Sequence, residues 1–134
     1  MEEKSKKILE FQILQRGLET LESREREIVK LLEELEISKI SLEEIEKIRG
    51  KGEVMFSVGG GNYVKGNLSG VSEVYVNIGA GVVMKKPLSD AKKIIEERIE
   101  NIRNSLERIE EEKVKIAAAM QKLRGEIENE PGVS

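Results

Sequence analysis

The chain has 134 residues and a net charge of -3; it contains neither Cys nor His, and is 37% charged but only 3% aromatic. That length is one domain's worth, and the missing residue types remove thiol nucleophiles, imidazole bases, the usual zinc ligands and any disulfide framework. The two charge signs are interspersed, which leaves no nucleic-acid footprint, and no stretch approaches the roughly 20 apolar residues of a membrane span, so we expect a soluble, cytoplasmic protein.

Residues 3–48 carry one continuous helical pattern. With Phe11 at heptad position a, the a/d series runs Phe11, Leu14, Leu18, Leu21, Glu25, Ile28, Leu32, Leu35, Lys39 and Leu42. Steps of three and four alternate throughout, which is a coiled-coil seam. At about 1.5 Å per residue the helix would be some 65–70 Å long. Beyond Leu42 the apolar positions shift phase to Ile45 and Ile48, a local overwinding. Ser41-Leu42-Glu43-Glu44 reads alternatively as a capping box that restarts the helix. Gly50, with Lys47 and Arg49 beside it, is expected to cap the helix C-terminus.

Composition then changes. Between Glu53 and Met84 only Glu53, Lys65 and Glu73 are charged. The segment is one cassette written twice, 20 residues apart: Val54 to Leu68 aligns without a gap on Val74 to Leu88, with Gly59 on Gly79, Gly61 on Gly81 and Lys65 on Lys85. Each copy is an alternating β-branched or aromatic run, a Gly-x-Gly, and a second such run, which predicts a β-hairpin. Two tandem hairpins over 53–86 are therefore expected, with Val54, Phe56, Val58, Tyr63, Val74, Val76, Ile78, Val82 and Val83 as their apolar, partner-seeking residues. We expect the compact core to lie in this insert.

Pro87-Leu88-Ser89-Asp90 opens a second helix over 89–129, with Ser89 as N-cap. Its seam is Ile95, Ile99, Ile102, Leu106, Ile109, Lys113, Ile116, Met120, Leu123 and Ile127. Each seam is unsatisfied alone, so the two helices should fold back as an antiparallel coiled coil. In that register the polar seam residues Glu25 and Lys113 meet in one layer, either as an ion pair that pins the register or as two side chains reaching for water. At the open end the seam runs out into Lys7 and Lys4. Leu9 and Ile13 point away from it, Ile8 flanks it, and Phe11 sits beside Ile127 and the tail with Val133. Exposed apolar groups at one defined place suggest a binding surface for something non-polar. The alternative is scattered surface residues without a role.

The glycines do not read as a nucleotide site. Gly79-Ala80-Gly81 opens a strand rather than a helix, and Asn67 stands where a phosphate loop needs lysine. Nothing marks a pair of carboxylates as an acid/base couple, so we expect neither an enzyme nor a cofactor.

Helix, two Gly-x-Gly hairpins and returning helix resemble the alpha-type subunit of archaeal prefoldin. The resemblance is carried by Val58-Gly59-Gly60-Gly61, Tyr63-Val64-Lys65-Gly66, Val76-Asn77-Ile78-Gly79-Ala80-Gly81-Val82 and Lys85-Lys86. It implies an α+β fold, a single prefoldin-like domain over 1–134, and hairpins joined between subunits into a β-barrel. It further implies a hexamer of two alpha and four beta subunits, acting as an ATP-independent chaperone. The coiled-coil tips would hold unfolded polypeptides and pass them to a group II chaperonin. Carried onto this chain, the tip residues are Ile8, Leu9, Phe11, Ile13, Leu123, Ile127 and Val133. A structural, filament-forming relative without a client role is the competing expectation.

Overall fold

The computed structural model describes residues 2–48 and 52–130. Six elements follow in order: α1 (Glu2–Ile48), β1 (Glu53–Gly59), β2 (Asn62–Asn67), β3 (Glu73–Gly79), β4 (Val82–Pro87) and α2 (Leu88–Asn129). This is an α+β chain of two long helices with two antiparallel hairpins between them. Helix α1 passes through Ser41–Glu44 unbroken, so those residues do not cap a new helix. Helix α2 begins one residue before Ser89, which lies within its first turn. The expected cap at Gly50, with Arg49, falls outside the described residues, as do Pro131, Gly132 and Val133.

The chain divides into two compact units, residues 1–31 with 102–134, and residues 32–101. In the first, α1 and α2 run antiparallel. Lys7 pairs with Glu130 and Glu25 with Lys113, so ascending positions on one helix meet descending positions on the other. All the seam positions here are buried or half-buried, from Phe11 to Ile28 and from Ile102 to Ile127. Gly17 flanks the seam: a Cβ there would lie 3.9 Å from Ile116 Cδ1.

The polar layer at Glu25 is closed by a hydrogen bond from Lys113 Nζ to Glu25 Oε1 at 3.1 Å. That bond raises the Lys113 ammonium above its ordinary value of 10.5, against the opposing effect of burial. A lysine whose pKa is raised on folding stabilises the fold fully below the unfolded value and stops doing so as pH rises through the folded one. The melting temperatures of wild type and Lys113→Gln should therefore differ at pH 8. The gap should close above about pH 10.5.

In the second unit the helices are again antiparallel, with Lys92 on Glu46 at 3.2 Å and Lys39 on Glu96 at 3.9 Å. Leu35, Leu42, Leu88, Ala91, Ile95 and Ile99 are buried, and Val76 of β3 joins them. Among the described residues, Val76 is the one buried apolar side chain of the hairpins. This corrects the expectation of a core within the insert. The hairpins form two separate two-stranded sheets, and a single two-stranded layer cannot cover its own faces. The buried atoms of this unit instead belong to the helices that receive β3. Ile99→Ala removes part of that core and should cost about 2–5 kcal/mol, read as a fall in the urea midpoint.

The doubled cassette appears as doubled structure. Phe56 pairs with Val64 and Val76 with Met84, and both hairpins shift register one residue before the turn, at Ser57/Gly59 and Asn77/Gly79. The turn residues Gly60 and Gly61, and Ala80 and Gly81, all have positive φ, as type I′ turns require. A diagonal cross-strand ion pair also repeats: Lys65 on Glu53 at 3.1 Å and Lys85 on Glu73 at 3.3 Å.

Candidate functional site

Two surfaces stand out, one in each unit. The hairpin surface begins with how differently the twin cassettes are treated. Hairpin β3–β4 is seated. Arg98 Nη1 donates to the Asn77 carbonyl at 2.9 Å, and Asn77 Oδ1 accepts from the Gly79 amide at 2.8 Å. The face carrying Val74 and Val76 turns to the helices, where Leu35, Leu42 and Ile95 help line an open groove of about 360 Å³ with β3. The Leu88 amide donates to the Ser72 carbonyl at 3.0 Å, tying the inter-hairpin loop to the start of α2.

Hairpin β1–β2 is far more exposed. Phe56 is 44% exposed, and Val58, Tyr63, Val64 and Met55 are exposed too, while Val54 is half-buried. Phe56 and Val64 lie on one face, Met55 and Tyr63 on the other, so both faces present apolar groups to water. Phe56 lies over Gly66 of the neighbouring strand, where a Cβ would come within 2.9 Å of its ring. A side chain at 66 would displace that ring. In the second cassette Tyr75, Ile78, Val82 and Val83 are likewise exposed. The sequence marks this whole set as partner-seeking but does not separate the seated hairpin from the bare one. Arg98, which seats β3, carries no sequence signal beyond its charge.

The second surface is the end of the helix pair at residues 2–14 and 119–130, here called the tip. Leu9 is 57% and Ile13 59% exposed, and Ile8 is exposed as well. Phe11, Leu123 and Ile127 are half-buried along the seam. Two shallow grooves hold these residues. One, of about 400 Å³, is lined by Ile13, Leu14, Ala119 and Leu123, with Glu10, Lys122 and Glu126 on its rim. The other, of about 370 Å³, is lined by Ile8, Phe11 and Ile127, with Arg124 and Glu128. The fold thus brings Ile13 together with Leu123, and Ile8 and Phe11 with Ile127. Leu9 lines neither groove. Val133 lies outside the described residues. Ala119 reads from sequence as a helix former alone, yet it forms part of a groove floor. Both grooves have apolar floors and mixed-charge rims, suited to apolar side chains rather than to a charged ligand.

A family model described as prefoldin subunit matches residues 14–130. The chain belongs to the prefoldin family. This prefoldin chain is 30% identical over 121 residues to prefoldin subunit alpha of Archaeoglobus fulgidus, covering 90% of this chain and 83% of that one. It is 30% identical over 120 residues to prefoldin subunit alpha of Pyrobaculum aerophilum, covering 89% and 88% respectively. A protein UXT homolog of Nematostella vectensis is 27% identical over 139 residues, covering 100% and 87%. The family match begins at Leu14, so Ile8, Leu9, Phe11 and Ile13 precede it.

Proposed function

We propose that this chain is the alpha-type subunit of an archaeal prefoldin and spans a single domain. It is a cytoplasmic chaperone subunit that works without ATP and without catalysis. The observation that carries the proposal is a doubled hairpin whose first copy exposes both faces. Apolar strands without a seat call for strands from other subunits. Similarity to proteins named prefoldin subunit alpha supports the alpha type. In this account two alpha and four beta subunits join their hairpins into a β-barrel, and six coiled-coil tips hold an unfolded polypeptide for delivery to a group II chaperonin. Glu25 and Lys113 fix which heptads face each other.

Holding requires no bond making. Each apolar contact contributes on the order of 1 kcal/mol, and six tips combine by effective concentration. Client side chains would enter the grooves at Phe11–Ile127 and Ile13–Leu123. A structural relative that assembles through its hairpins but carries no client is the second reading, favoured by the likeness to a UXT homolog.

Native mass measurement with and without a beta-type subunit, followed by light scattering of a chemically unfolded protein, tests the proposal. A hexamer that suppresses scattering supports it. Open-ended assemblies that leave scattering unchanged favour the structural reading.

A further inference from the structure

The apolar seam of the first unit ends in an ion pair. Four residues back from Phe11 is Lys7, and three residues on from Ile127 is Glu130, so the same three-four spacing that sets the seam sets this last layer. Lys7 Nζ donates to Glu130 Oε2 at 3.1 Å and lies 4.0 Å from Glu126 Oε2. Both partners are largely covered: the Lys7 side chain keeps 27% and the Glu130 side chain 19% of its exposure. The hydrogen bond to Glu130 raises the Lys7 ammonium above its ordinary value, with burial opposing, so the cation persists at neutral pH.

We propose that Lys7 and Glu130 form a clasp that holds the helix ends together and keeps the seam between Phe11 and Ile127 from parting. Helix ends open locally at little cost. An ion pair placed on that opening shifts it by about two- to fivefold, and salt screens the shift. Glu126 ties the clasp to one of the two grooves, because it also rims the groove of Ile13 and Leu123. With the clasp closed, the two grooves flank an intact seam and each receives a side chain or two. With it open, the seam between Phe11 and Ile127 parts and the two grooves merge into one longer apolar surface. Lys7 thus acts as a positioning residue that sets the length of apolar segment the tip accepts. The consequence for clients rests on the tip function proposed above; the clasp itself does not.

Hydrogen exchange of the full chain, resolved to peptides 2–14 and 119–130, tests it at 20 and 500 mM NaCl. Wild-type exchange at the tip should quicken about two- to fivefold in high salt. Lys7→Gln should exchange at the fast rate in both conditions. The charge-exchanged pair Lys7→Glu with Glu130→Lys, made together with Glu126→Gln to remove the like charge beside position 7, should restore slow exchange and its salt response, which a change in helix propensity alone would not do. Wild-type rates and salt response in Lys7→Gln, or no rescue by the exchanged pair, overturn the clasp. Binding of reduced, carboxymethylated lysozyme separates the two proposals. Capture that tightens with faster exchange supports both, whereas faster exchange without tighter capture leaves the clasp standing and counts against the tip as client site.

Discussion

Exchanging Leu9, Phe11 and Ile13 for Ser should remove client holding from this chain's tips while leaving assembly intact. Leu9 and Ile13 already face water, so their loss removes little packing. Phe11 is half-buried at the end of the seam, so its loss should fray chiefly the last turns. Three apolar contacts of roughly 1 kcal/mol each correspond to a loss of about 100-fold in affinity at one tip. Native mass should show the same oligomer as wild type, and helical content by circular dichroism should fall only slightly. Light scattering of a chemically unfolded protein should then rise towards the level seen without chaperone. Retained suppression would place the holding surface elsewhere on the chain.

Exchanging Phe56 and Val58 for Asp should have the opposite outcome: a folded chain that no longer assembles. Both side chains are exposed, so two carboxylates there meet water and cost the isolated chain little. Placed in a barrel between subunits they would be buried without partners, at several kcal/mol each. That is enough to move an assembly constant by more than three orders of magnitude. The same change at Val76, which is 4% exposed, should instead unseat β3 and unfold that unit. The contrast between two cassettes of similar sequence is the informative result. If Phe56→Asp with Val58→Asp assembles normally, the first hairpin is not the joint.

Much of this architecture could be read from spacing. The three-four series places every seam residue of α1 correctly on the covered side, polar Glu25 and Lys39 included. The 20-residue repeat gives two hairpins with matching registers and matching bulges. The same spacing holds more than the obvious apolar letters. Run backwards from Ile95 it falls on Ala91 and Leu88, both buried. Run outwards from Phe11 and Ile127 it falls on Lys7 and Glu130. Alanine and charged residues are easily passed over in a hydrophobic pattern, although geometry treats them as members of the seam.

What spacing does not convey is which cassette finds a seat. Phe56 and Val76 are equivalent in the repeat, yet Phe56 is exposed and Val76 is buried against the helices. That difference arises from contacts distant in sequence, such as Arg98 to the Asn77 carbonyl across 21 positions. A reading by local pattern therefore assigns the core to the apolar insert, while the buried atoms gather on the helices that receive it. The tip grooves are similarly composite. Their walls combine residues more than 100 positions apart, such as Ile13 with Leu123, and their charged rims look like ordinary helix surface until the two helices are brought together.

Site-specific photo-crosslinking tests the central claim most directly. A photoreactive residue is placed singly at Leu9, at Ile13, or at Glu97 on an exposed face of α2, and the assembled oligomer is mixed with an unfolded radiolabelled polypeptide. Crosslinks from positions 9 and 13, with none from 97, are the predicted outcome. Equal labelling from all three positions, or none from the tip, would contradict a chaperone that holds its clients at the ends of its helix pairs.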